Sequence, residues 1–295
     1  MLRYFLGNTA DWSGGAIENF ASASVVSGCV FSGNTATNSH GGAMAISGSV
    51  SPRISNNSFT GNHAGFAGGG IAIDVVNPPV LANSILWGNT DPNGSAESQQ
   101  IHFFGGSITV NYCLVEGWTG SLGGAGNSGL NPLFVDADGG DDTFGTEDDD
   151  LRLAAGSPAI DSGDDTRVEA DVADLDVDLD VAERQPLDLD DQPRFVDDSA
   201  MTDTGLADPP NYVEIVDRGA YEVQFVPGAC GTCEGDLDGN TTVTGEDIQS
   251  FIDCILAGPV IGPGCECADT NMSTDLDFTD VGPFVNAAIL GVTCP

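Results

Sequence analysis

The residues best placed to do chemistry are oxygen donors near the C-terminus. Asp236, Asp238, Asn240, Thr244 and Asp247 occupy positions 1, 3, 5, 9 and 12 of a twelve-residue loop, with the backbone carbonyl of Thr242 at position 7. Thirty-three residues on, Asp269, Asn271, Ser273, Asp275, Asp277 and Asp280 fill positions 1, 3, 5, 7, 9 and 12 of a second copy. Hard oxygen donors at this spacing wrap a Ca2+ ion, so calcium is the expected cofactor. Asp stands at position 12 in place of the usual Glu, and Thr241 and Thr274 take the turn position where Gly is usual. The competing reading is a set of Asx turns and helix N-caps.

Two weaker acidic patterns lie upstream. Asp136, Asp138, Asp142 and Glu147 fall at positions 1, 3, 7 and 12 of the same template, with Gly140 and Asp141 at 5 and 6. They form a possible further metal site. Asp174, Asp176, Asp178 and Asp180 alternate along the chain. Period 2 places all four on one side of an extended segment, where either cations bridge them or the stretch is a solvated loop.

Cysteine is the second reactive type. Cys230, Cys233, Cys254, Cys265, Cys267 and Cys294 crowd around the loops and read as three disulfides, with fifteen possible connectivities. A zinc site built from Cys230, Cys233, Cys265 and Cys267 is the rival. Cys29 and Cys113 stand singly and are expected to be buried thiols.

Charge excludes whole reaction classes. The 295 residues carry 45 Asp+Glu against 7 Lys+Arg, a formal net of −38, and every basic residue is Arg. A P-loop, a protein kinase and a Schiff-base enzyme each need a Lys. The net charge argues against nucleic acid and against an anionic membrane surface. No apolar run reaches the ~20 residues of a transmembrane segment. The acids are unevenly placed: residues 1–130 have net −4, 131–227 net −23 and 228–295 net −11.

Elements must position these groups. After each C-terminal loop the apolar residues recur at helical spacing: Ile248, Phe251, Ile252, Ile255 and Leu256, then Val281, Phe284, Val285, Ala288 and Ile289. The first 130 residues have a different period. Gly14-Gly15-Ala16-Ile17 recurs as Gly41-Gly42-Ala43-Met44 and as Gly68-Gly69-Gly70-Ile71, in steps of 27. Phe31-Ser32-Gly33-Asn34 recurs in phase as Phe59-Thr60-Gly61-Asn62 and Leu86-Trp87-Gly88-Asn89, and Phe5-Leu6-Gly7-Asn8 is an earlier copy. Gly28, Asn56, Asn83 and Asn111 form a further column, suited to side-chain amides that hydrogen-bond up and down a stack. Short alternating runs between these markers predict three strands and three turns per coil of a parallel β-helix, with coils stacked ~4.8 Å apart. No 3.6-residue pattern appears before residue 245. Because Met1 falls inside a repeat with no secretory leader before it, the chain reads as an N-terminally truncated piece of a longer protein.

The paired GGAI and FSGNTA motifs resemble the right-handed parallel β-helix repeats of secreted bacterial proteins, including polymorphic outer-membrane-protein-type repeats. Residues 131–224 resemble the acidic segment that closes many such proteins, through Asn131-Pro132-Leu133-Phe134, Gly156-Ser157-Pro158-Ala159-Ile160-Asp161 and Asp217-Arg218-Gly219-Ala220-Tyr221-Glu222. That resemblance implies a cap on the last coil. Residues 234–291 resemble a type I dockerin, which implies two loop–helix calcium repeats and docking to a cohesin. At loop positions 10 and 11, where that family often has Ser-Thr, this chain has Gly245-Glu246 and Phe278-Thr279.

The expected fold is therefore mainly β: a right-handed parallel β-helix over 1–130, an acidic closing segment over 131–227 and a small α-helical dockerin-like domain over 228–295. The expected role is a secreted or cell-surface scaffold for binding or adhesion, glycan-related, attached through the calcium module to a cohesin-like domain or a surface component. The alternative is a pectate-lyase-like lyase or a glycoside hydrolase whose catalytic coils lie upstream. Among the coils' few acids (Asp11, Glu18, Asp74, Asp91, Glu97 and Glu116) no two share a column in neighbouring coils. His40 and His63 read as solvent-exposed turn residues, and no catalytic residue is nominated.

Overall fold

In the computed structural model the described residues are 3–48, 51–93, 96–177, 179–196, 202–206, 215–224, 243, 248–257, 268 and 281–290. They fall into two compact units: residues 1–197 with 203–224, and residues 198–202 with 225–295. The repeats and most of the acidic segment thus share one unit.

The first coil holds β1 (Arg3–Leu6), β2 (Thr9–Ala10), β3 (Ile17–Phe20) and β4 (Val25–Ser27). The second holds β5 (Cys29–Ser32), β6 (Thr35–Ala36), β7 (Met44–Gly48) and β8 (Arg53–Ser55). The third holds β9 (Ser58–Thr60), β10 (His63–Ala64), β11 (Ile71–Val75) and β12 (Val80–Ala82). The fourth holds β13 (Ile85–Trp87), a helix α1 (Ala96–Gln100), β14 (Ile101–Gly105) and β15 (Thr109–Asn111), and β16 (Leu114–Val115) starts a fifth. The first three coils have one strand more than the sequence predicts, because the pair after Gly-Asn (Thr9–Ala10, Thr35–Ala36 and His63–Ala64) forms a two-residue ladder of its own. Helix α1 is likewise unforeseen; five residues are too few to show a 3.6-residue period.

Every pairing between coils is parallel. The first sheet runs β1-β5-β9-β13-β16, the second β10-β6-β2, the third β14-β11-β7-β3 and the fourth β15-β12-β8-β4. Met44 pairs with Ile17 and Ile71, and Phe31 pairs with Phe5 and Phe59, as the repeat steps require. Alternation then sorts the side chains. Phe5, Phe31 and Phe59 point inward and stack, with centroids 4.7 and 4.6 Å apart and planes within 6°. Met44, Ile71 and Ile101 of the third sheet and Ile54, Leu81 and Val110 of the fourth complete one core. Each fully buried side chain of this size contributes about 1.5–3 kcal/mol.

Two polar columns run beside the core. The amide ladder is built by the Asn of each Gly-Asn pair. Asn34 Nδ2 donates to Asn62 Oδ1 at 2.8 Å, Asn62 to Asn89 at 2.7 Å, and Asn89 to Gln100 of α1 at 2.6 Å. The column Gly28, Asn56, Asn83 serves another purpose: its backbone φ angles are 64, 52 and 46°, the left-handed region that Gly and Asn tolerate. Asn111 does not continue it. Asn111 pairs with Ala82, one residue earlier in register, so Tyr112, with φ 51°, takes the position.

The acidic segment is not a cap on the last coil. Residues 117–129 close that end, with Trp118 and Leu122 packed on the core and Ser128 bridged to Leu114. The described residues of 131–196 and 215–224 form a strap along the flank of the stack. Among its described residues the regular elements are β17 (Phe134–Asp136) paired antiparallel with β18 (Asp150–Leu153), and one 3-10 turn at Asp165–Arg167. Its Leu151, Leu189, Ala220 and Tyr221 bury the outward face of the first sheet at Val30. Tyr221 donates to Tyr4 in the first coil (3.2 Å), Ala220 N–H to Ser58 Oγ in the third (3.2 Å), and Asn83 Nδ2 to Asp164 O (2.8 Å). Gly219, at φ 107°, lies so close that a Cβ there would stand 2.9 Å from Ser58 Oγ.

In the second unit, α2 (Ile248–Ala257) and α3 (Val281–Leu290) start at the residues that follow Asp247 and Asp280. Phe251 and Phe284 stack at 4.0 Å, and Cys254 is buried. Ile252, Val285 and Ile289 are exposed, so the buried stripe is narrower than the expected apolar periodicity.

Candidate binding face

The strap covers the first sheet and reaches the fourth, where Arg53 pairs with Glu169 at 2.5 Å. The outward face of the third sheet is different. Strand alternation places Glu18, Ala45, Ala72 and His102 in one row across the coils, and Phe20, Ser47 and Asp74 in the next. The central residues are small, so the sheet floor sinks between taller neighbours. The result is an open cavity of about 300 Å3 bordered by Ser13, Glu18, His40, Asp74 and Phe104.

Phe104 reaches this face through an irregularity. Ile73 pairs with Phe103 but Asp74 pairs with Gly105, so Phe104 is an extra residue in β14. Bulges of this kind turn a side chain out of the ordinary alternation. The ring centroid lies 4.1 Å from that of His40 and 4.6 Å from that of His102, and Phe66 meets His40 edge-on at 5.0 Å. These rings form one wall. Phe66 is 52% exposed, Phe104 44% and Phe20 74%. Burial, and then the neighbouring His102, hold His40 below the usual imidazole range, while Asp74 opposes them. A lowered value favours the neutral ring. The stack makes this face rigid, because the inward partners Met44, Ile71 and Ile73 are fully buried.

Residues 5–129 match the family described as Right handed beta helix region. No curated protein and no solved structure matches the chain. The chain therefore contains a right-handed β-helix of about four coils. No helix among the described residues is long and apolar enough to cross a membrane.

On this β-helix the expected site residues meet different outcomes. Asp136, Asp138, Asp142 and Glu147 do not gather: no three of them bring ligand oxygens within 4.8 Å of one another. Their loop is held by backbone bonds instead, such as Thr143 N–H to Asp138 O at 2.8 Å. The described group that does gather is Asp171, Asp176 and Glu183. Only Asp176 belonged to the alternating run, whose one-sided geometry is broken by positive φ at Asp174, Val177 and Leu179. Asp178 lies outside the described residues. His63 is exposed, as expected, but it lies on strand β10 rather than in a turn, whereas His40 is half-buried by the two phenylalanine rings. Cys29 and Cys113 are buried thiols, and burial pushes Cys113 up to about 12.

The calcium-loop residues Asp236, Asp238, Asn240, Thr242, Thr244, Asp247, Asp269, Asn271, Ser273, Asp275, Asp277 and Asp280 lie outside the described residues. So do Cys230, Cys233, Cys265, Cys267 and Cys294. Cys254 is the described member of that set.

A further concentration of charge is internal to the strap. Arg194 is fully buried, with Nε donating to Leu187 O and Nη2 to Ala220 O, both at 3.2 Å. Around it, Asp188, Asp217 and Glu222 accept backbone N–H groups: Glu222 N–H donates to Asp188 (3.0 Å), Val223 N–H to Asp217 (2.7 Å) and Asp217 N–H to Glu222 (3.0 Å). Burial pushes Asp217 up to about 8 and Glu222 upward as well. These carboxylates stitch irregular backbone where no ladder is available.

Proposed function

We propose that the chain is a secreted or cell-surface scaffold that binds carbohydrate on the third sheet, without chemical turnover. The observation that carries this reading is the aromatic wall of His40 and Phe104, backed by the exposed Phe66, beside a floor of Ala45, Ala72 and Ser47. A sugar ring presents an apolar C–H face and a polar rim. Flat rings beside a trough with a few polar groups suit both. The strap leaves this sheet to solvent while burying the first.

In this reading the C-terminal module provides attachment. Its twelve oxygen donors hold two Ca2+ ions, its six cysteines pair as disulfides, and its partner is a cohesin-like domain or a surface component. The repeated loop spacing supports this, as does the start of each helix directly after its loop.

Binding to immobilised glycans, followed by calorimetry, tests the first part. Phe66→Ala with Phe104→Ala should weaken binding at least tenfold and leave the circular dichroism spectrum unchanged. Intact binding in that double variant would remove the site. Turnover of a polysaccharide that is lost in Glu18→Gln would replace the binding reading with a hydrolytic or lyase one. For the second part, adding Ca2+ to the full chain should raise the unfolding temperature of the C-terminal unit by linkage. An unchanged melting profile would count against calcium loops.

A further inference from the structure

We propose that the third-sheet trough selects sugars with free amino groups, so that its ligand is a glucosamine-type oligosaccharide rather than a uronate or a neutral glycan. This inference rests on the carbohydrate reading above and adds the charge of the ligand.

The argument is one of electrostatic fit. The two charged side chains on the cavity border, Glu18 and Asp74, are both carboxylates, and none of the seven arginines lines it. Glu18 on β3 and Asp74 on β11 are two strand spacings apart, about 10 Å along the stack. That separation is on the order of a disaccharide. A chain of uronates laid along the trough would set its own carboxylates against both. Like charges at close range repel, most strongly where a ligand has displaced water. A neutral glycan would desolvate the carboxylates without supplying a counter-charge.

An ammonium group reverses both terms. It forms charge-assisted hydrogen bonds with a carboxylate, and its positive charge is attracted to the faces of neighbouring aromatic rings. Phe104 supplies such a face on the same border, and the exposed Phe66 ring stands 6.3 Å from it. His40, beside Asp74 and His102, is held toward its neutral form and adds no competing positive charge.

Calorimetry of the full chain at ~0.15 M salt, where the screening length is about 8 Å, tests the proposal. The probes are a β-1,4 glucosamine oligomer, the same-length N-acetylated oligomer and an oligogalacturonate. The free-amine oligomer should bind at least tenfold more tightly than the acetylated one, and the galacturonate should not bind. The double variant Glu18→Gln, Asp74→Asn should lose that preference and bind both glucosamine forms equally. It changes the net charge only from −38 to −36, so non-specific attraction of a polycation would survive in it. An unchanged amine preference in the double variant therefore overturns the proposal. Equal affinity of the native chain for amine and acetylated forms, or tighter binding of the galacturonate, also overturns it while the carbohydrate reading stands. No binding of any of the three overturns both.

Discussion

The coils and the strap bury backbone in opposite ways. In the coils most strand N–H groups find the carbonyl of the next coil, others find the Asn side chain stacked above, and the side chains stack on copies of themselves: Phe on Phe, Asn on Asn. The strap has almost no ladder. Many of its N–H groups go to carboxylates, among them Asp164, Asp171, Asp188, Asp217 and Glu222, all buried themselves. One region uses neutral, repeated contacts and the other charged, singular ones. The acidity of residues 131–227 is thus in part internal framework, which is why it does not resemble a uniformly solvated surface. The coils should be indifferent to pH where the strap is not.

That contrast can be broken at three places. The largest effect is expected from Phe31→Ala, which removes the middle ring of the stack and leaves a cavity. It should cost about 3–5 kcal/mol in denaturant unfolding. A loss below ~1 kcal/mol would show that the strap, not the core, holds the coils together. Next is Asn62→Ala. It strands the Asn34 N–H and side-chain amide and the Phe31 carbonyl, all of which lean on Asn62. The expected cost is about 2–4 kcal/mol.

The smallest effect concerns pH. Asp217, at about 8 in the folded chain, lies above the ordinary value of about 3.9. The folded state therefore binds that proton more tightly, and the stabilisation it brings is fully present below about pH 4. It is lost as pH rises to about 8. Asp217→Asn, neutral at every pH, should remove this part of the slope, so native and variant stabilities lie closest at low pH and separate as pH rises. Asn62→Ala should keep the native slope. The same slope in all three proteins would erase the distinction between the two regions.

Much of the β-helix is legible in the repeat spacing of the sequence. The 27-residue step between Gly14, Gly41 and Gly68 already contains the register of the third sheet, and the Phe column that of the first. The Asn111 column failed because residue type and backbone conformation are only loosely tied. Asn favours left-handed φ, but the fourth coil puts Tyr112 there. The strap's course was hidden for a different reason: a segment without periodicity is placed by tertiary contacts, which leave no trace in local spacing. Phe104 was missed although a signal existed. The step from Ile71 to Ile101 is 30 residues, not 27, and that excess is the insertion that holds α1 ahead of the bulged strand.

The strap also sets an order of events. A bare stack of coils resembles a one-dimensional chain of neighbours, able to nucleate anywhere and to fray from either end. Tyr221 reaches back 217 residues to Tyr4, and Ala220 reaches 162 residues to Ser58. Contacts of such separation form slowly and only after the surface that receives them exists. The flank therefore closes last, over coils already wound, and once closed it binds the first coil to the third so that neither can open without releasing the whole seam.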